Sequence, residues 1–138
     1  MSTSAGGGWI VDASVAVKWF KPASIEPDSD LARAAIGNLP LRTTSLAFYE
    51  TGNVLSRAGQ IPERVAANLD VMSQACGSPV DLKSEDFAVC AEISNEYGIT
   101  FYDASYVAIA RRLKRRVLSA DSDLLAPGLA SDLRTALA

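Results

Sequence analysis

Five carboxylates stand where folding can gather them. Asp12 directly follows the apolar run Trp9-Ile10-Val11, Asp121 directly follows Val117-Leu118-Ser119-Ala120, and Asp123 lies two residues further on. Glu50 sits inside one helical segment and Asp103 in the first turn of another. A continuous apolar run that ends in an acid suits a strand covered on both faces, as in a parallel sheet. Parallel strands share their carboxyl-terminal edge, where open α/β sheets carry their sites. Asp12 and Asp121 can therefore meet in space, with Asp103 and Glu50 approaching from helices. Carboxylates crowded at one edge repel one another unless a cation neutralises them. Oxygen-only ligands suit Mg2+ or Mn2+. A metal so held activates water and stabilises the leaving oxygen in a displacement at phosphorus. Asp12 has a second reading, because Asp and Ser are both good N-caps; taken alone, residues 9–20 accommodate a helix cap as readily as a site residue.

Composition narrows the chemistry further. The 138 residues contain no histidine, which removes Ser-His-Asp and Cys-His catalysis and most zinc sites. Proton chemistry is left to carboxylates, Lys, Tyr or metal-bound water. Cys76 and Cys90 are too few for a zinc site or a disulfide framework, and their apolar helical settings suit buried core thiols. The net charge of −3 argues against a protein that coats nucleic acid or anionic membrane nonspecifically, though it allows a local basic patch. The length fits one domain over residues 9–138. Residues 1–8, small and polar with three glycines, read as a flexible leader without the features of a signal peptide. No stretch approaches the ~18 apolar residues of a membrane span. A cytoplasmic protein without membrane contact is expected.

The elements that must position the acids follow in order. A strand over 9–11 leads into a helix over 14–20, stopped by Lys21-Pro22. A second helix, capped by Asp28 or Ser29, runs through Ile36 to a terminator at Gly37. Residues 39–43 form a connector or edge strand, since proline disfavours a central one. Ser45 caps a helix over 46–57 with Glu50 on the stripe of Leu46. Pro62 starts the next helix, with Val65, Leu69, Met72 and Cys76 at core spacing. A short strand is expected over 79–82. A helix capped by Ser84 then runs to Tyr97 before Gly98, with Asp86 serving as a favourable charge at its start. A further helix reaches Arg116, with Tyr102, Tyr106, Ile109 and Leu113 as its packed stripe. A strand over 117–120 and a short tail helix complete the chain. Strands alternating with helices predict an α/β fold, a three-layer α/β/α sandwich around a short, mainly parallel sheet.

The set Ile10-Val11-Asp12-Ala13-Ser14, Tyr49-Glu50-Thr51-Gly52-Asn53-Val54-Leu55, Thr100-Phe101-Tyr102-Asp103-Ala104 and Leu118-Ser119-Ala120-Asp121-Ser122-Asp123 resembles the PIN domain, and most of all the VapC-type toxins of toxin–antitoxin pairs. The likeness runs from Ile10 to about Leu125 with the motifs in order. It implies a metal-dependent endoribonuclease that uses Mg2+ or Mn2+, a homodimer, and inhibition by a small cognate antitoxin. Carried over by position, Asp12, Glu50, Asp103 and Asp121 form the acidic quartet. Asp12 and Asp103 are the firmest metal ligands, and Asp121 is a ligand directly or through water. Glu50 orients water or holds a second metal, and Asp123 matches a less regular fifth acid. Ser14 and Ser119 would hold the carboxylates by hydrogen bonds, and Asn53 would do so for Glu50. Relatives often carry Gly in the turn before the final strand, where this chain has Lys114-Arg115-Arg116.

Lys18, Arg57, Arg111, Arg112 and Arg115 are the candidates for RNA phosphates, tRNA being one target class of such proteins. The plain reading of the basic run at 111–116 is a solvated face complementing a helix C-terminus. Tyr49 and Tyr102 are expected to pack beside the pocket, with base stacking as the alternative. Competing functions are a general RNA-processing PIN nuclease, a non-catalytic PIN-like binding module, and a phosphatase with Asp12 as nucleophile. Ser14 stands where such a phosphatase usually has its second Asp, and no Lys follows a strand as a receiver-like module requires.

Overall fold

The computed structural model describes residues 7–138. Residues 1–6 of the expected leader lie outside the described residues. Gly8 is tied down: its carbonyl accepts the Arg116 N–H at 3.2 Å. It has φ +103, and a Cβ there would lie 2.7 Å from Arg115 Nη1 and 2.9 Å from the Pro40 carbonyl oxygen. Only glycine lets the chain enter the sheet at this point without strain.

Three short strands make the sheet: β1 (Trp9–Val11), β2 (Leu41–Thr43) and β3 (Arg116–Leu118). Their order is β2-β1-β3 and both pairings are parallel. Trp9 faces Leu41 and Arg116, while Val11 faces Thr43 and Leu118. All of β1 is buried, as a central strand covered on both faces must be. Ile10 and Val11 each contribute about 1.5–3 kcal/mol by leaving water.

Helices cover the sheet: α1 (Ala13–Ala16) with a 3-10 turn after it (Val17–Phe20), α2 (Ser29–Asn38), α3 (Ser45–Arg57), α4 (Pro62–Cys76), α5 (Ser84–Tyr97), α6 (Phe101–Arg112), α7 (Ser122–Leu125) and α8 (Leu133–Leu137). The helix-rich, three-layer arrangement around a parallel sheet matches the expectation. α6 carries seven consecutive buried residues, Ala104 to Ala110, and is the most deeply embedded helix. Cys76 and Cys90 are buried free thiols, as expected.

Several boundaries move for identifiable reasons. Thr44, not Ser45, caps α3; its Oγ1 accepts from Ala47 N, while the Ser45 hydroxyl donates to Asp81. Lys83, not Ser84, precedes α5 as its cap residue. Gly37 lies inside α2, which continues one residue further. The strand expected over 79–82 shrinks to one parallel bridge between Val80 and Thr44. Pro79 has no N–H to extend that ladder.

The largest change is at the basic run. α6 ends at Arg112, not Arg116, because Lys114 takes a left-handed turn at φ +55, a conformation that favours Gly. Arg116 then opens β3. Arg112 turns back onto α5, where its Nε lies 3.0 Å from both Asp86 carboxylate oxygens and its Nη2 donates to the Asp81 carbonyl. Asp86, 3% exposed, also accepts the Lys83 N–H at 2.9 Å. It is a buried anchor and not merely a charge at a helix start. These contacts hold its carboxyl below the usual range despite its burial. Arg112 is therefore a structural cation.

Removing one partner of such a pair strands a buried charge, which costs about 3–5 kcal/mol. Arg112→Ala should lower stability by about that much in chemical denaturation at pH 7. Because the Asp86 pKa is depressed in the folded wild type, its stabilising share is present above the unfolded value and is lost as pH falls. The deficit of the variant should accordingly shrink in acid.

Candidate active site at the carboxyl edge of the sheet

The ends of β1 and β3 bring Asp12 and Asp121 together. Asp12 caps α1 and lines the cavity at this edge. Its Oδ1 accepts the Val15 N–H at 3.3 Å and the Ser14 hydroxyl at 2.6 Å, and its Oδ2 accepts the Ser119 hydroxyl. Each hydroxyl also receives a bond from the chain beyond β3: Ala120 N donates to Ser14 Oγ at 2.8 Å, and Asp121 N to Ser119 Oγ at 3.0 Å. Two serines thus fasten the end of β1 to the end of β3 through one carboxylate. Ser14 makes hydrogen bonds without being the cap, which is Asp12 itself.

Asp121 caps α7 by accepting the Asp123 N–H. Thr100 caps α6 by accepting the Asp103 N–H, which fixes Asp103 in the first turn. Asp103, Asp121 and Asp123 each offer a carboxylate oxygen, and the three oxygens all lie within 4.8 Å of one another. Oxygens about 2.0–2.6 Å from a shared Mg2+ or Ca2+-sized ion have that mutual spacing. With no imidazole in the chain and both thiols buried elsewhere, the donor set fits a hard divalent cation.

Asp12, Glu50, Asp103 and Asp121 line one open cavity of about 460 Å3, together with Ser14, Lys18, Lys21 and Tyr106. Glu50 does not use Asn53, which is exposed and makes no hydrogen bond to it. Its Oε1 accepts the Tyr106 hydroxyl at 2.6 Å. Tyr106 is 1% exposed and its pKa is raised by burial and by Glu50, so it remains a donor. Sequence reasoning saw Tyr106 only as packing. Its spacing of three from Asp103 on one helix face was the available signal.

The candidate RNA contacts separate. The Lys18 ammonium is committed to Glu26 Oε1 at 3.1 Å and to the Pro27 carbonyl at 2.8 Å. Lys21, half-buried at the cavity wall, has no carboxylate within 4.0 Å among the described residues and is a cation the sequence did not single out. Arg57 is exposed in the last turn of α3, beyond Glu50 and Val54. Arg111 and Arg115 lie at the opposite edge of the sheet, as Arg116 opens the strand that runs toward Asp121. Tyr49 and Tyr102 do not pack inside; they are 73% and 64% exposed, because each points away from its helix's buried face.

The electrostatics record the crowding. Burial, opposed by its hydrogen bonds, raises Asp12 from 3.8 to about 6, and Asp121 adds to the rise. Asp103 is raised by burial and by Asp121, Glu50 and Asp123. For an acid whose folded pKa lies above its unfolded value, the stabilising contribution is full below the unfolded value and is lost as pH rises through the folded one. In chelator, wild type should therefore lose stability relative to Asp12→Asn as pH rises from about 4 through about 6. Paired thermal melts across that range measure the difference, and parallel curves would contradict it.

The PIN domain family profile matches residues 9–128. Ribonuclease VapC3 of Pyrobaculum aerophilum is 30% identical over 121 residues, which cover 83% of this chain and 90% of that one. The crystal structure of PAE2754 from the same organism superposes with a TM-score of 0.69 at 26% identity, covering 96% of this chain and 88% of that one. The sarcin-ricin loop cleaving toxin VapC20 of Mycobacterium tuberculosis shares the fold, with a TM-score of 0.72, 17% identity and coverage of 88% and 95%. The strand-end acids, the parallel three-stranded sheet and these likenesses agree: the chain belongs to the PIN-domain family, among its VapC-like members.

Proposed function

We propose that this chain is a divalent-metal-dependent endoribonuclease, the toxin of a type II toxin–antitoxin pair. The observation that carries the reading is the trio Asp103, Asp121 and Asp123, with carboxylate oxygens within 4.8 Å of one another, the first two lining an open cavity in a PIN fold. A curated relative is named a ribonuclease, and a structural neighbour is described as a sarcin-ricin loop cleaving toxin. A small antitoxin partner fits the same kinship, since further neighbours are toxin–antitoxin complexes. A homodimer remains the family's expectation. No helix among the described residues is long and apolar enough to cross a membrane.

In this reading Asp103, Asp121 and Asp123 hold Mg2+ or Mn2+, and Asp12 backs them with charge while its oxygens keep the two strand ends joined. A divalent cation held there would supply activation of water and neutralisation of a leaving oxygen. Glu50, held by Tyr106 through Oε1, would serve as a proton or hydrogen-bond acceptor at the cavity wall. Lys21 offers a cation to the phosphate at the cavity wall. Hydroxyl donors on Asp12 keep its charge fixed in direction, as outer hydrogen bonds do for metal-binding carboxylates.

Purified protein should cleave RNA in Mg2+ or Mn2+ and stop in chelator. Asp103→Asn and Asp121→Asn should each lower kcat by about a hundredfold or more. Cleavage that persists in chelator, or that survives both substitutions, overturns the reading; phosphate release from a small monoester with covalent labelling of Asp12 would replace it with a phosphatase. Tyr106→Phe frees Glu50 and should lower kcat about tenfold with little change in KM. Millimolar Mg2+ or Mn2+ should also raise the melting temperature, and an unchanged value would count against a formed cation site.

A further inference from the structure

The basic run that the catalytic edge does not use converges elsewhere. Arg111, Arg115 and Arg116 line a cavity of about 270 Å3 at the amino-terminal edge of the sheet, floored by Val107, Val117 and Leu129. Arg115 Nη1 reaches the carbonyls of Trp9 and Pro40 at 3.3 and 3.4 Å, so its guanidinium is fixed in place. Arg116 lies over the Trp9 ring, 4.2 Å from its centroid, and remains exposed. Burial, and after it the charge of Arg42 on β2, disfavours the charged form of Arg115. None of these four arginines has a carboxylate oxygen within 4.0 Å among the described residues. In a chain of net charge −3, this is a costly concentration of positive charge. Helix C-terminal complementarity accounts for Arg111 but not for Arg42 in β2 or for Arg116 in β3.

We propose that this arginine-lined pocket is a second RNA contact, which holds backbone phosphates of the substrate strand at the sheet edge opposite the cleaved bond. It rests on the ribonuclease reading and adds a substrate-length requirement to it. Planar guanidinium groups match phosphate oxygens in pairs, and an immobilised guanidinium loses less freedom on binding than a free one. From Arg116 to Asp121 the chain advances five residues, roughly 15 Å at strand rise, so a dinucleotide cannot reach both edges while a longer strand can.

The test is fluorescence anisotropy of a labelled single-stranded RNA of about a dozen nucleotides, in chelator, across a salt series. Each phosphate contact in a single strand contributes about 0.7 to the slope of log affinity against log salt. Arg111→Ala with Arg116→Ala should lower that slope by about 1.4 and weaken binding about tenfold, while dinucleotide cleavage in Mg2+ stays at the wild-type rate. Arg116 also packs on Trp9, so Arg111→Ala alone, at an exposed position, is the second variant; it should lower the slope by about 0.7 with an unchanged melting temperature. An unchanged slope in both variants overturns the proposal, as does an equal loss of cleavage on the dinucleotide and the long RNA. A wild type that binds the long RNA but cuts none of it refutes the ribonuclease reading instead, and the slopes still decide the pocket.

Discussion

The structure depends on a carboxylate shared between two strand ends. Asp12 accepts hydroxyl hydrogens from Ser14 and Ser119, and those hydroxyls accept N–H groups from Ala120 and Asp121. Charge-assisted hydrogen bonds are stronger than neutral ones and hold direction well in a buried setting. β1 and β3 are only three residues long, so their ladder alone would let the strand ends splay. The serine bridges extend the junction past the last ladder bond, up to the residue that carries the next acid. Cap and site residue are therefore one role at Asp12: the geometry that starts α1 is also what places the charge.

The same economy recurs around the cavity. Asp121 caps α7, and Asp103 lies one turn into α6 behind the Thr100 cap. Helix starts present unpaired N–H groups and a partial positive charge, which soften the repulsion among gathered carboxylates. They do not remove it: burial first, and the neighbouring carboxylates after it, raise the Asp12 and Asp103 pKa values. The fold holds a tension that a cation relieves. Glu50 is held within this group by the neutral hydroxyl of Tyr106.

The sheet and its acids were legible because the information was local. An apolar run followed by Asp, twice, implies two buried parallel strands with a common edge, and the structure brings those edges together. What was not legible depended on where a helix stops. The cations at 111–116 read as one solvated face if α6 continues to Arg116. The left-handed turn at Lys114 ends the helix and gives each its own partner: Arg112 a buried carboxylate on α5, Arg115 the carbonyls beside β1, Arg116 the Trp9 ring. Nothing in the local sequence requires a lysine to adopt that turn. Tyr102 fails similarly: it lies one turn from the buried Tyr106 on one helix, yet stays 64% exposed. Such outcomes depend on long-range packing, which periodicity does not encode.

The pairing of β1 with β3 has a consequence for when the protein becomes active. β1 pairs with β2 about thirty positions along the chain, but its other neighbour arrives only near position 117. Contacts so distant in sequence form late, since the intervening loop must close first. Asp121 and Asp123 travel with that last strand. A growing polypeptide emerging from the ribosome holds Asp12, Glu50 and even Asp103 without the carboxylates that complete the trio. On the ribonuclease reading, the acidic trio is therefore complete only once β3 has been synthesised and docked.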